Sequence, residues 1–514
     1  MHIVSYKKNH IKKYKMKVII QIIIASLLFS SCKQKEVLPP APYGPVPNER
    51  QLNIQELEFY GFLHFTINTF TGRQWGQGDE SPELFNPAIF DAEQIVEVLK
   101  AGGMKGVILT AKHHDGFCLW PSAFTEHSVK NSPWKNGKGD VVREIADACK
   151  ENDMAFGIYL SPWDRNYPEY GSPAYIKYYQ NQLDELLSNY GDIFALWCDG
   201  ANGGSGYYGG ANEVRKIDNS TYYEWDYTWK IAFDLQPKLS IFSDVGPGTR
   251  WVGNERGHAG DPCWARFTPV SKNDKQPAPG NVNTKYNYHG QKDGKFWIPA
   301  EADVSIRPNW FYIPEDDSLV KSPEYILRMY YETIGHGATL NLNVPPDKRG
   351  LIHENDTKSL VGFKEILDEI FATNLAKNAT IEASDVRGKK EKYSETNLTD
   401  GDRDTYWATN DNLKDASLII DFNGSVIFNV IDVREYTPLG QRVENWAFDR
   451  WENDKWVEFA KGEAIGLRRI WRNDERITTS KLRVRLSGFV CPAISELGVY
   501  VEPDGLVVPP INRK

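Results

Sequence analysis

Cysteine is scarce in this sequence, which has six in 514 residues. None of them belongs to a CxxC pair, and beyond Cys32 the remaining number is odd and scattered: Cys118, Cys149, Cys198, Cys263 and Cys491. Such spacing argues against a disulfide framework and against a zinc cluster. The folded protein therefore depends on its apolar core.

An excess of positive charge is also lacking, because 60 Lys and Arg face 69 Asp and Glu, a formal net charge of −9. A protein that tracks a phosphate backbone carries a basic face, so we predict no nucleic-acid partner. No GxGxxG run follows any predicted strand, which argues against a dinucleotide. We predict no cofactor.

Aromatic residues, in contrast, are plentiful at 13%, with 16 Trp. Many of them pack in the core, but flat apolar rings also stack against sugars. The length exceeds what one core usually supports, so we expect two folded units.

The N-terminus combines a basic stretch with an apolar run at 18–29 that ends at Cys32. This pattern is typical of a signal peptide over 1–32 rather than a spanning helix. It resembles a bacterial lipoprotein signal in which Cys32 is lipidated. A plain signal peptidase site and a start at Met16 are the alternatives. The Pro-rich segment 33–48 is predicted to be a tether, so we expect an exported protein, lipid-anchored to the bacterial envelope.

Residues 49–373 alternate short β-rich runs with helical patterns, which is typical of a parallel sheet with crossover helices. They predict a (β/α)8 barrel with one weak unit, and an open doubly wound sheet is the rival. In a barrel, chemistry lies at the carboxyl ends of the strands. The strand candidates are 61–67, 106–110, 155–160, 193–197, 239–243, 296–300 and 339–343.

Residues 374–505 change to short alternating runs separated by turn clusters, which predicts an all-β sandwich before a tail at 506–514. The runs NLTDGDRDTYW (397–407) and LIIDF (418–422) resemble the discoidin-like domains and family 32 carbohydrate-binding modules. Binding of sugar or calcium, or simple bracing of the barrel, are the alternatives for this domain.

Four predicted strand ends collect polar side chains: His64, the run 112–116, Tyr159 with 161–163, and 197–199. Burying such groups is unfavourable unless a ligand compensates, so their convergence favours a site. A metal held by His64, His113, His114 and Asp115 is the alternative. Adjacent histidines on a strand point to opposite faces, so we predict no metal.

Hydrolysis of a glycosidic bond needs two carboxyls, one ionised and one protonated. The sequence offers Asp199, Glu255 and Glu301. Asp199 directly follows a strand and shares a face with Trp197, so a sugar ring could lie between them. An isolated Asp-Gly pair is more often a turn.

The runs HFTINTF (64–70), WGQG (75–78), LTAKHHDGF (109–117), YLSPWD (159–164) and WCDG (197–200) resemble the α-L-fucosidases of glycoside hydrolase family 29. The resemblance covers about residues 50–370 and implies that Asp199 is the nucleophile. It also implies a fucose pocket lined by His64, His113, His114, Tyr159 and Trp197, with Trp310 as an aromatic platform.

The run WVGNE (251–255) resembles the branch of this family that prefers α-1,3 and α-1,4 linkages, and it implies that Glu255 is the acid/base. Glu301 is the reserve candidate. Gln74, before Trp75, replaces a Glu of many relatives, which alters a contact to a sugar hydroxyl.

The resemblance implies an exo-acting, retaining α-L-fucosidase whose partners are fucosylated glycans. The alternatives are a catalytically silent glycan-binding lipoprotein and an exo-glycosidase for a related sugar such as galactose.

Overall fold

The structure is a computed structural model that describes residues 36–511. The predicted signal segment 1–32, the lipidation site Cys32 and the first residues of the tether lie outside this range. The described residues divide into two compact units, 36–39 and 40–511. Residues 36–39 of the first unit have no regular secondary structure.

Eight parallel strands of the second unit close into a barrel in the order β1-β12-β11-β8-β7-β4-β3-β2. The predicted (β/α)8 barrel is therefore confirmed. Strands β5 and β6 form one small two-stranded antiparallel sheet outside it, and β9 and β10 form another. The strands are β1 (Phe59–Leu63), β2 (Gly106–Lys112), β3 (Ala155–Leu160), β4 (Ala195–Trp197), β5 (Gly204–Gly206), β6 (Glu213–Arg215), β7 (Ser240–Ser243), β8 (Thr249–Trp251), β9 (Arg266–Phe267), β10 (Phe296–Trp297), β11 (Ala300–Ser305) and β12 (Thr339–Asn343).

The α-helices of this part begin before the barrel and mostly alternate with its strands. An apolar core of buried Val, Ile, Leu and aromatic side chains joins them to the barrel. They are α1 (Glu49–Leu57), α2 (Ile67–Thr71), α3 (Ala92–Ala101), α4 (Val141–Glu151), α5 (Pro173–Asn189), α6 (Trp225–Leu235), α7 (Pro323–Thr333) and α8 (Glu354–Phe371).

Three barrel strands differ clearly from the prediction. The strand predicted at 61–67 is β1, which ends at Leu63, and α2 already begins at Ile67. The weak unit is β8, whose three residues follow β7 after a five-residue turn and are too few to show a pattern. The strand predicted at 296–300 is wrong: Phe296–Trp297 pairs with β9, and the barrel strand is β11. Glu301, Asp303 and Ser305 alternate along β11 and are all buried, so its polar side obscured the strand pattern.

The C-terminal part is an antiparallel sandwich, as predicted. Its two longest strands, β15 and β18, pair along most of their length, with an irregularity between Asp421 and Val426. One buried core draws on both ends of β15, with Leu418 and Ile431 in the same apolar cluster. The strands are β13 (Thr380–Ala383), β14 (Trp407–Ala408), β15 (Asp415–Glu435), β16 (Val443–Glu452), β17 (Lys455–Glu463), β18 (Arg469–Gly488) and β19 (Ala493–Tyr500).

The second half of the predicted tether lies against the sandwich. The backbone N–H of Tyr43 donates to the carbonyl of Leu439 at 3.0 Å, and its ring stacks on Phe489 with centroids 5.5 Å apart. Arg442 Nη1 donates to the carbonyl of Ala41 at 2.8 Å. Residues 41–43 are therefore anchored to the folded unit.

Two further observations concern residues 36–511 as a whole. No α-helix in that range has both the length and the apolar character needed to cross a bilayer. All five of its cysteines are buried and free of disulfides.

Candidate active site

A cavity of about 110 Å³ opens at the carboxyl ends of the barrel strands. Twelve residues line it, and nine of them are predicted site residues. Tyr159 is not among the lining residues, which are Phe62, His64, Gln74, Trp75, His113, His114, Trp197, Asp199, Ala201, Glu255, Asp303 and Trp310.

Asp199 lies just beyond β4 and is held at both carboxyl oxygens. Tyr159 Oη donates to Oδ2 at 3.2 Å, and the backbone N–H of Ala201 donates to Oδ1 at 2.6 Å. The Ala201 contact closes the turn that an Asp-Gly pair favours. Asp199 therefore forms this turn and also lines the cavity. Burial raises the pKa of Asp199 to about 7, and the charge of Asp244 adds to the rise while the two hydrogen bonds oppose it.

Glu255 lies at the tip of the loop after β8, where its side chain is exposed at the cavity rim. The Asn254 side chain closes this loop: its Oδ1 accepts from the Arg256 N–H and its Nδ2 donates to the His258 carbonyl, both at 3.0 Å. Trp310 Nε1 donates to Glu255 Oε2 at 3.3 Å. Partial desolvation by the surrounding protein raises the pKa of Glu255, and the indole contact limits that rise.

His64, directly after β1, has its ring oriented by Asn343. The Asn343 amide donates to the carbonyl of Trp310 at 2.8 Å, so its Oδ1 accepts from His64 Nδ1 at 2.8 Å. Nδ1 therefore carries the hydrogen. Burial lowers the pKa of His64 to about 3, which leaves a neutral ring with Nε2 as an acceptor.

His114 is fixed in the same tautomer by a different chain of contacts. Ser161 Oγ donates to the carbonyl of Trp163 at 2.7 Å and therefore accepts from His114 Nδ1, also at 2.7 Å. The acceptor Nε2 lies 3.8 Å from Asp199 Oδ2. Burial lowers the pKa of His114 to about 3 and that of His113 well below its usual value. Neutral imidazoles of this kind can accept from sugar hydroxyls.

Gln74 ties two loops of the site together. Its Oε1 accepts from the backbone N–H groups of Trp310 at 2.8 Å and Phe311 at 3.1 Å. Its Nε2 is buried with no hydrogen-bond partner among residues 36–511, so it can donate to a ligand oxygen, which a Glu could not do. The neighbouring Trp75 is half exposed at the mouth, edge-on to His114 with centroids 5.4 Å apart.

Aromatic rings supply the apolar wall. Trp197 stacks on Phe242 with centroids 4.0 Å apart and contacts Phe62 at 5.1 Å. Trp310 lies 5.0 Å from the His64 ring. One side of the cavity is thus apolar while carboxyls and imidazoles occupy the rest.

The reserve candidate Glu301 lies inside the barrel rather than in the cavity. It is fully buried and accepts from Trp197 Nε1 at 3.0 Å, Thr249 Oγ1 at 2.9 Å and Asn341 Nδ2 at 3.2 Å. A carboxyl with this many donors supports the wall beneath Trp197. Of the two candidates that the sequence offers for the acid/base, Glu255 lines the cavity and Glu301 does not.

Asp303 is a pocket carboxyl that the sequence reasoning missed. It lies two residues after Glu301 on β11, is 3% exposed, and accepts from Trp251 Nε1 at 2.8 Å on its Oδ1. Recognising that Glu301, Asp303 and Ser305 share the inward side of one strand would have found it. Within residues 36–511 no three His, Cys, Asp or Glu side chains are grouped to hold a metal ion.

Tyr159 acts on the cavity through Asp199, which gives a testable prediction. Tyr159→Phe removes a donor to the carboxylate and should raise the pKa of Asp199 further above its value of about 7. The nucleophile role that the sequence predicts for Asp199 requires the ionised form, so the acid limb of the kcat/KM profile should move to higher pH by about 1 unit, as expected for one hydrogen bond to a charged group. An acid limb at the wild-type position would show that this bond does not stabilise the ionised carboxyl.

Cleavage of a glycosidic bond takes two carboxyls beside one sugar ring. Asp199 and Glu255 face one small cavity with an aromatic wall at the mouth of a barrel, which places the protein among the glycoside hydrolases. Comparison with known proteins agrees, since a family model described as Alpha-L-fucosidase matches residues 51–368.

Individual relatives extend the match across most of the chain. Alpha-L-fucosidase 1 of Arabidopsis thaliana is 38% identical over 468 residues, which cover 90% of this chain and 89% of that protein. A glycoside hydrolase 29 family member from an unknown rumen bacterium is 42% identical with a TM-score of 0.79, covering 91% of this chain and 79% of that one. A glycoside hydrolase 29 fucosidase of Ruminococcus gnavus, solved in complex with fucose, is 33% identical with a TM-score of 0.82, covering 92% and 98%. The chain belongs to the α-L-fucosidase family, glycoside hydrolase family 29.

Proposed function

We propose that this α-L-fucosidase is exo-acting and retaining, and that it releases terminal L-fucose by double displacement with Asp199 as nucleophile and Glu255 as acid/base. The observation that carries the proposal is that both carboxyls line one cavity of about 110 Å³. Pockets for drug-sized ligands run from about 300 to 1,000 Å³, so this one suits a single terminal ring.

The environments of the two carboxyls suit these roles. Both oxygens of Asp199 are held by hydrogen bonds, which orients the carboxylate for attack on the anomeric carbon. Glu255 sits at the rim, where the leaving group of an exo-acting enzyme would lie, and its pKa is raised. In the first step Glu255 protonates the leaving oxygen while Asp199 forms the glycosyl bond. In the second, Glu255 deprotonates a water that releases the sugar with its configuration retained.

The wall of the cavity supports a 6-deoxy sugar. Phe62, Trp197 and Trp310 offer an apolar surface to a methyl group, while the neutral His64 and His114 accept from hydroxyls. The relative from Ruminococcus gnavus binds fucose, which supports the same sugar here. The run 251–255 supports α-1,3 and α-1,4 branches as the linkages.

Turnover of aryl glycosides tests the sugar and the stereochemistry together. We expect release of 4-nitrophenol from the α-L-fucoside, much slower release from the corresponding galactoside, and α-L-fucose as the first anomer seen by proton NMR. An initial β-anomer would exclude double displacement. Lewis-type trisaccharides compared with a 2′-fucosylated one would test the linkage preference, and equal rates would contradict it.

We also propose that the enzyme is exported and lipid-anchored through Cys32, on the evidence of the segment 1–32 alone. Mass spectrometry of the mature N-terminus tests this. A lipidated Cys32 would support it, and a free α-amino group at another residue would contradict it.

A further inference from the structure

Two carboxyls face the cavity without a cationic partner. Asp303 Oδ1 accepts from Trp251 Nε1 at 2.8 Å, and Glu255 Oε2 accepts from Trp310 Nε1 at 3.3 Å. Each thus has one neutral indole donor. Among the ion pairs of residues 36–511, no Lys, Arg or His lies within 4.0 Å of either carboxyl.

We propose that Asp303 and Glu255 share one proton in the free enzyme. Asp303 is then a positioning residue that keeps the acid/base Glu255 protonated. This inference rests on the role of Glu255 proposed above. Two carboxyls that line one small cavity repel each other when both are ionised, so the pair retains a proton to a higher pH than a single Glu would.

The surroundings of Asp303 agree with a retained proton. Burial raises its pKa well above the usual value, and the charges of Glu255 and Glu301 raise it further. Burial raises the pKa of Tyr60 on β1, and the charges of Glu301 and Asp303 add to that rise. The other titratable groups on the cavity are Asp199, His64, His113 and His114, and the three histidines are neutral by the shifts given above.

The raised pKa of Asp199 explains why Glu255 needs to keep its proton near neutral pH. The Asp199 pKa of about 7 means that the nucleophile is ionised only near or above neutral pH. The acid must still hold a proton in that range for the productive protonation state to exist. An ordinary Glu, with a pKa of about 4.3, would already have lost it.

The carboxyl pair loses its proton in the first step of the reaction and recovers one in the second. Glu255 transfers it to the glycosidic oxygen as the bond from that oxygen to the anomeric carbon breaks and Asp199 forms the glycosyl bond. The pair is then doubly ionised, and repulsion from Asp303 makes Glu255 a stronger base. It takes a proton from the water that opens the glycosyl bond, which restores the pair to one proton.

Asp303→Asn tests the proposal, because Asn keeps an oxygen for the Trp251 indole but cannot share a proton. We expect the alkaline limb of kcat/KM for a Lewis-type trisaccharide to fall by about 1 pH unit or more, with the acid limb in place. Above that limb the loss should be about tenfold or more. It should be several-fold smaller for 2,4-dinitrophenyl α-L-fucoside, whose leaving group departs without a proton.

Asp244→Asn is the matched control, since Asp244 is a buried carboxyl whose charge raises the pKa of Asp199. It should move the acid limb to lower pH and leave the alkaline limb in place. If Asp303→Asn does not fold, Trp251→Phe replaces it: loss of the indole donor should move the alkaline limb to higher pH.

An alkaline limb that does not move in Asp303→Asn, or equal losses for both substrates at every pH, would overturn the shared proton. Failure of the wild type to hydrolyse either fucoside would instead overturn the proposed function, so the two failures are distinguishable.

Discussion

Replacing Asp199 with alanine is expected to lower kcat for an aryl α-L-fucoside by a factor on the order of 10³ or more. Asp199 is the pocket carboxyl that is held at both oxygens, and no other group on the cavity is oriented in this way by the contacts described. Steady-state kinetics would measure the loss. Activity within about tenfold of the wild type would remove Asp199 from the role of nucleophile, because a loss that small corresponds to only about 1.4 kcal/mol.

Azide separates the two carboxyl roles by the stereochemistry of the product. In Asp199→Ala, azide can occupy the vacated space and attack the anomeric carbon directly, so the product should be β-L-fucosyl azide. In Glu255→Ala, azide should instead attack the glycosyl-enzyme intermediate and give α-L-fucosyl azide, since two inversions restore the configuration. The same anomer from both variants would contradict the assignment.

Loss of activity on substitution of Asp199 should not reflect loss of folding. The folded pKa of Asp199 is raised, so the folded state binds more protons than the unfolded state between pH about 4 and 7, and burial of this carboxyl makes the fold less stable as pH rises through that window. Asp199→Asn removes the ionisable carboxyl and therefore this loss of stability. We expect it to unfold at the same or a higher temperature than the wild type, with the gain largest above pH 7.

Glu58→Ala is expected to destabilise the protein by about 3–5 kcal/mol, the typical result of breaking a buried ion cluster. Glu58 lies between α1 and β1, is 5% exposed, and contacts three arginines of the sandwich. Arg468 Nη1 lies 3.2 Å from Oε2, Arg403 Nη2 lies 3.5 Å from Oε1, and Arg434 Nη1 donates to Oε1. One barrel carboxylate therefore neutralises charge from the second domain. Urea unfolding would measure the change.

Glu56→Ala is the matched control for this prediction. Glu56 lies two residues earlier, in the last turn of α1, and pairs with Arg403 at 3.0 Å, but its side chain is 53% exposed. An exposed pair contributes about 0–1 kcal/mol, so the control should be nearly neutral. Equal effects of the two substitutions would show that the buried cluster does not hold the domains together.

The pH dependence of the same cluster can be stated with its sign. Burial alone would raise the pKa of Glu58, but the charges of Arg434, Arg468 and Arg403 hold it well below the ordinary value. A lowered folded pKa adds stability above the unfolded value of about 4.3, and that stability is lost as pH falls below it. The difference in stability between wild type and Glu58→Ala should therefore shrink in acid.

Much of the barrel could be predicted because the sequence patterns that mark its strands are local. Strands at 155–160 and 339–343 have the predicted bounds, since each is a short buried run with turns at both ends. The strand β8 was missed because three residues carry too little pattern. The strand β11 was displaced because Glu301, Asp303 and Ser305 face the barrel interior, where burial depends on partners far away in the sequence.

For the site, the sequence by itself determined which side chains stand at the strand ends: a polar residue that directly follows an apolar run must emerge at the barrel mouth. His64, His114 and Asp199 are identified in this way. Only the tertiary structure decided what each of them does there. It placed Tyr159 behind Asp199 instead of on the cavity wall, and it set Glu301 beneath Trp197. It also brought Asp303 to the cavity that Glu255 lines. The physical reason is that ring tautomers, carboxyl pKa values and the sharing of a proton depend on atoms within a few ångströms. In a closed barrel those atoms come from strands that are distant in the chain.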